Sequence, residues 1–114
     1  MMSNSSRIYE IRIYESPSMV AAKKKVHMFN EGGEIDIFKK TGLKPVFFGE
    51  AIAGLDMPNL LYMLAFNNIS ERDANWQIFI KSPEWAKLSK ESFYADTVSS
   101  ITDIILRPAA FSQI

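Results

Sequence analysis

The stretch Arg7-Ile8-Tyr9-Glu10-Ile11-Arg12-Ile13-Tyr14 decides how the rest of the chain is read. It is rich in β-branched and aromatic residues and closes at Ser16-Pro17, the composition and punctuation of a strand. Successive strand residues point to opposite faces, so Tyr9, Ile11 and Ile13 share one side and Ile8, Glu10, Arg12 and Tyr14 the other. The first side is wholly apolar; the second sets two charges between apolar ends. That asymmetry assigns the apolar side to covering helices and the mixed side to a partner.

Outward from this strand, Ser18 to Lys40 reads as a helix capped by Ser16 or Ser18, with Met19, Ala22, Val26 and Phe29 at helical spacing. Lys23, Lys24 and Lys25 read as a solvated helix face, set against an anion site. Gly32-Gly33 costs about 2 kcal/mol relative to alanine inside a helix and predicts a break. Ile35, Ile37 and Phe38 then continue the apolar stripe and Gly42 stops it. Leu43 to Ala53 is a second strand, with Val46, Phe48, Glu50 and Ile52 alternating with Phe47, Gly49 and Ala51. Gly54 to Pro58 turns the chain into a third strand, Asn59 to Asn67, apolar on both faces. Ser70 caps a second helix whose stripe is Trp76, Phe79 and Ile80. Pro83 opens a further turn that aims Trp85 and Leu88 inward, and Val98 to Arg107 is a fourth strand ended by Pro108.

The order β-α-β-β-α-β is an α+β arrangement whose right-handed crossovers put both helices on one face of the sheet. Ile8, Tyr14, Val46, Phe48, Ile101 and Ile105 compete with Tyr9, Ile11, Ile13, Phe47, Ile104 and Leu106 for that cover, and neither set suits water. A second sheet packed on the first resolves the conflict, and in a homodimer it closes an approximate barrel.

The bulk numbers restrict function. The 114 residues suit one domain over 7–112, with a disordered tail at 1–6 and a closing tail at 113–114. Thirteen basic residues balance thirteen acidic ones, which argues against nucleic acid as a partner. The absence of cysteine excludes disulfides, thiolate metal sites and cysteine nucleophiles. The first six residues lack an apolar run, and no stretch approaches the ~18 apolar residues of a membrane span. The expectation is a soluble, cytoplasmic protein. No glycine-rich phosphate or dinucleotide motif and no Gly-x-Ser-x-Gly occurs.

Four motifs in series resemble the NIPSNAP family: Tyr9-Glu10-Ile11-Arg12-Ile13-Tyr14; Leu60-Leu61-Tyr62-Met63-Leu64-Ala65-Phe66 followed by Glu71-Arg72; Ser82-Pro83-Glu84-Trp85; and Leu106-Arg107-Pro108 with Phe111-Ser112. The resemblance runs from Arg7 to Ser112. It implies a ferredoxin-like fold with an antiparallel sheet, paired into a dimeric α+β barrel, and it implies no settled activity.

Glu10 and Arg12 are the foremost candidates for chemistry. They project from one face about 6.5–7 Å apart, the face assigned to the dimer interior, and Asp103, Arg107 and Glu50 are placed with them. Buried charges must be paired. Either they form an ion-pair network that sets register, or they floor a cavity in which Arg12 orients an anionic group and Glu10 acts as base. His27, the single histidine, is a candidate acid–base group or haem ligand set against a core-edge residue. With no second histidine at ligand spacing, no metal is expected, and no cofactor. Trp76, Phe79, Trp85 and Phe93-Tyr94 line either a pocket or the core, and the Tyr62 hydroxyl needs a partner if buried. The leading expectation is a homodimer, joined through the sheet face, that binds a small hydrophobic molecule through Glu10, Arg12, Tyr14, Phe48, Tyr62, Trp76 and Trp85. Set against it are a cofactor-independent monooxygenase or isomerase, with Glu10, Arg12 and His27 as catalytic candidates, and a protein-interaction module without a small ligand.

Overall fold

The computed structural model describes residues 7–54 and 57–112. The expected tails at 1–6 and 113–114, and the middle of the turn between the second and third strands, lie outside the described residues. The elements follow in the order β1 (Ile8–Glu15), α1 (Met19–Asn30), α2 (Glu34–Lys40), β2 (Lys44–Glu50), β3 (Asn59–Phe66), α3 (Ile69–Lys81), α4 (Pro83–Leu88), a 3₁₀ turn at Ser92–Tyr94, and β4 (Ser100–Leu106). The sheet is antiparallel in the order β2-β3-β1-β4, so the first strand lies at its centre as the split β-α-β pattern requires.

The glycine pair breaks the first helix as its cost predicts. A Cβ on Gly32 would stand 2.7 Å from the Met28 carbonyl and 2.7 Å from the Tyr94 hydroxyl, and Gly33 has φ 96°. Ser18, and not Ser16, caps α1 by accepting from the Ala21 amide; Ser16 donates instead to the Thr97 carbonyl. The Ser70 cap is corrected to Asn68, whose side chain accepts from the Glu71 amide, while the Glu71 carboxylate accepts from the Asn67 amide. Ser82 caps α4, with Pro83 at its first position.

The register pairs Ile8, Glu10, Arg12 and Tyr14 with Phe66, Leu64, Tyr62 and Leu60 across β3. This is the side the helices cover. Tyr62 packs on Phe29 of α1, Phe38 of α2 and Phe48 of β2, with ring centroids 5.4–5.5 Å apart. Phe79 of α3 joins Phe38 to Trp85 of α4. The expected faces are therefore exchanged: Tyr9, Ile11 and Ile13 lie on the side away from the helices. The physical reason is that α3 brings its own charge and indole donor to Glu10, so the mixed face can be buried without leaving a charge unpaired.

The bare side carries the rows Phe47–Met63–Ile11–Ile104 and Gly49–Leu61–Ile13–Thr102. Val46 was grouped with Phe48 on strict alternation, but the register slips between Pro45 and Phe47, and Val46 lines a shallow recess with Tyr9 and Ala65 instead. Among the described residues no helix is long and apolar enough to cross a membrane.

Candidate functional site

The covered face holds a charge network built on Glu10, which is fully buried. Arg72 of α3 donates to it through a fork, Nε to Oε1 at 3.1 Å and Nη2 to Oε2 at 2.8 Å. The Trp76 indole donates to Oε1 at 2.7 Å. Arg12 Nη1 stands 3.6 Å from Oε2 and donates to Asp103 of β4 at 3.3 Å; Arg72 Nη2 donates to the same Asp103 oxygen at 3.2 Å. The Arg12 guanidinium lies 4.7 Å from the centre of the Trp76 ring.

Burial alone would raise the Glu10 pKa. The hydrogen bonds led by Arg72, with that guanidinium's charge, outweigh it and hold the carboxyl at about 2. A carboxylate so acidic, with both oxygens engaged, anchors Arg72 and Trp76 and is ill suited to the expected work of a base. Asp103 moves the other way. Partial burial, and then the neighbouring Glu10 charge, raise it to about 6 against the opposing pull of Arg12 and Arg72.

Above this network a cleft of about 750 Å³ opens between the sheet and the helices. Arg12 and Tyr14 of β1, Lys25 of α1, Arg72 and Trp76 of α3 and Trp85 of α4 line it. The size and the mostly apolar wall with a few charges are those of a small-molecule site. At its inner end Arg12 Nε donates to the Tyr14 hydroxyl at 3.2 Å, and the Tyr14 and Tyr62 hydroxyls stand 2.6 Å apart. Burial raises the pKa of both tyrosines, so both stay protonated at neutral pH.

Lys25 is the principal correction to the charge reading. It is 5% exposed, and its ammonium donates to the buried Glu34 of α2 at 3.0 Å while facing the rings of Phe29 and Tyr14. The Gly32-Gly33 break folds α2 back far enough to bring Glu34 to it. Burial raises the Glu34 pKa against the lowering influence of Lys25.

Of the seven expected ligand residues, Arg12, Tyr14, Trp76 and Trp85 line the cleft. Glu10 and Tyr62 lie beneath it as supports, and Phe48 faces a separate pocket of about 280 Å³ with Val26, Phe29 and Glu50. Asp103 joins the network as expected, whereas Arg107 lies beyond the end of β4. His27 stands outside the cleft: its Nδ1 bonds the Tyr94 hydroxyl at 2.7 Å and its Nε2 lies 2.9 Å from Glu31. With both ring nitrogens occupied it is a poor haem ligand or base. Phe93 and Tyr94 pack on this histidine and do not line the cleft. Among the described residues no cluster of three or more metal-ligating side chains occurs.

Arg72, Lys25 and Glu34 were not among the expected site residues. Arg72 had a legible signal, since it stands four residues before Trp76 and so shares its helix face.

Sheet order, helices on one face and a cleft beneath them define an α+β protein of ferredoxin-like topology. The NIPSNAP family model matches residues 9–113, and the chain belongs to that family. It is similar to a NIPSNAP family protein of unknown function from Agrobacterium tumefaciens, with 23% identity, 97% of this chain and 96% of that one covered, and a TM-score of 0.80. It is also similar to an uncharacterised NIPSNAP-like domain protein from Burkholderia xenovorans, with 21% identity, coverage of 96% and 91%, and a TM-score of 0.79. A dimeric protein of unknown function with a ferredoxin-like fold from Bacteroides fragilis follows at 15% identity, coverage of 92% and 99%, and a TM-score of 0.60. No curated protein matches the sequence.

Proposed function

We propose that this chain forms a homodimer through the bare face of its sheet and binds a small, largely apolar molecule in the cleft on the other face. The cleft of about 750 Å³ carries the reading, because aromatic walls around a fixed guanidinium make a site for a ligand with an apolar body and one polar end. Pairing is supported by the row Phe47–Met63–Ile11–Ile104, which has no charge and, among the described residues, no element covering it. The similar protein from Bacteroides fragilis is dimeric. A second copy would stack sheet on sheet about 10 Å apart and leave both clefts open on the outside.

Trp76 and Trp85 are the two tryptophans of the chain and both line the cleft, so their indole N–H resonances report its occupancy. In ¹⁵N-labelled protein, naphthalene is expected to shift both resonances saturably, and light scattering at micromolar concentration to give twice the chain mass. Unmoved indole resonances would remove the ligand half of the proposal. A monomer would remove the dimer half.

A further inference from the structure

We infer that the occupant of this cleft is a neutral planar aromatic carbonyl compound, an aryl ketone or quinone, whose oxygen accepts from both Arg12 and Tyr14. This deepens the proposed binding role and rests on it. Two unused donors point to a carbonyl oxygen, and the carboxylates already paired with the cleft's cations disfavour an anion.

The first donor is Arg12 Nη2. The guanidinium spends Nε on the Tyr14 hydroxyl and Nη1 on Asp103. Among the described residues no acceptor stands on Nη2. No buried side-chain nitrogen or oxygen lacks a partner among those residues, so Nη2 is open, and the residue opens on the cleft. The second donor follows from counting hydrogens. Tyr14 and Tyr62 bring two hydroxyl hydrogens to one O–H···O contact of 2.6 Å, so one hydrogen is left over. Tyr62 is fully buried among phenylalanine rings, where a free hydroxyl hydrogen would forfeit its bond outright. The cheaper arrangement has Tyr62 donate to Tyr14. The Tyr14 oxygen then accepts from Tyr62 and Arg12, and its own hydrogen turns toward the cleft that Tyr14 lines.

A carbonyl oxygen accepts two hydrogen bonds near its plane, which matches two converging donors. A carboxylate would also match the donors but not the charge. Arg12, Arg72 and Lys25 face Glu10, Glu34, Asp73 and Asp103, three cations against four carboxylates. These cations are already paired with carboxylates, so a further anion finds little uncompensated positive charge. The expected orienting of an anionic group by Arg12 is thereby replaced by hydrogen bonding to a neutral oxygen. Trp76, Trp85 and Ile80 supply the flat apolar wall for the ring.

The test compares naphthalene, 2-acetonaphthone and 2-naphthoate on the full chain and on Tyr14→Phe, with the two indole resonances as readout. The ketone is expected to bind at least ten-fold more tightly than the hydrocarbon, and the carboxylate more weakly than the ketone. Tyr14→Phe should lose most of the ketone advantage over naphthalene, while its far-UV circular dichroism and urea midpoint report that the variant is folded. Equal binding of ketone and hydrocarbon would overturn the inference and leave the cleft reading standing, since the donors would then serve water. A carboxylate that binds most tightly would overturn it in favour of an anion site. Failure of all three would overturn the cleft reading itself.

Discussion

Two faces of one strand divide this molecule. On one, Glu10 and Arg12 are held under α3 by Arg72, Trp76 and Asp103. On the other, one residue along, Ile11 and Ile13 run among Phe47, Met63, Leu61 and Ile104 with no element over them among the described residues. The charged face is the covered one and the apolar face is bare, the reverse of what burial by hydrophobicity alone would choose. The difference teaches that cover follows pairing as well as apolarity. A face with charges can enter a core when the covering helix brings complementary groups, and the apolar face is then left without a helix among the described residues, the face on which the proposed second copy would pack.

The comparison breaks first at Glu10. Glu10→Ala removes the acceptor for three donors and leaves Arg72 and Arg12 short of a counter-charge under the helices, with an expected loss of about 3–5 kcal/mol in urea unfolding. A loss below about 1 kcal/mol would mean that the network does not hold α3 to the sheet. On the bare face the effect should fall on association instead. Ile11→Asp sets two carboxylates, one from each copy, near the centre of a symmetric interface and is expected to weaken the dimer at least 100-fold, roughly 3 kcal/mol. Its monomer should unfold within about 1 kcal/mol of the parent, because among the described residues no helix lies above Ile11. A variant that stays dimeric at low micromolar concentration would place the interface elsewhere.

Element order and the Gly32-Gly33 break were legible because strand alternation, caps and glycine cost are local. Which face of β1 meets the helices was not. The deciding groups, Arg72 and Trp76, lie more than 60 residues away, and their match to Glu10 appears only after the chain closes. The same holds for Lys25, whose place in a lysine run suggested solvent until Glu34 turned back to it. Arg12, Tyr14, Trp76 and Trp85, which line the cleft, were legible as candidates because aromatics and an interior cation are conspicuous. Phe48 and His27 were conspicuous for the same reasons and point elsewhere, since conspicuous chemistry does not carry position.

The smallest expected effect lies where the covered face meets the edge strand. Asp103 titrates at about 6 in the folded chain against an ordinary 3.8, so between those values the folded state holds more proton than the unfolded one. Stability from this group is present below about 3.8 and is lost as pH rises toward 6. Glu10 has the opposite sign, with about 2 folded against 4.5 unfolded, so its contribution is present above 4.5 and fades as pH falls toward 2. The two predict a stability maximum on the acid side of neutrality, a rise from pH 2 to about 4.5 set by Glu10 and a shallow fall from about 4 to 6 set by Asp103. Asp103→Asn should flatten the fall and keep the rise, read from urea midpoints across pH 3–7. Persistence of the fall in this variant would assign it to Glu34, the other carboxyl whose pKa burial raises, and would move the pH-sensitive contact from the network on β4 to the ion pair beneath α1.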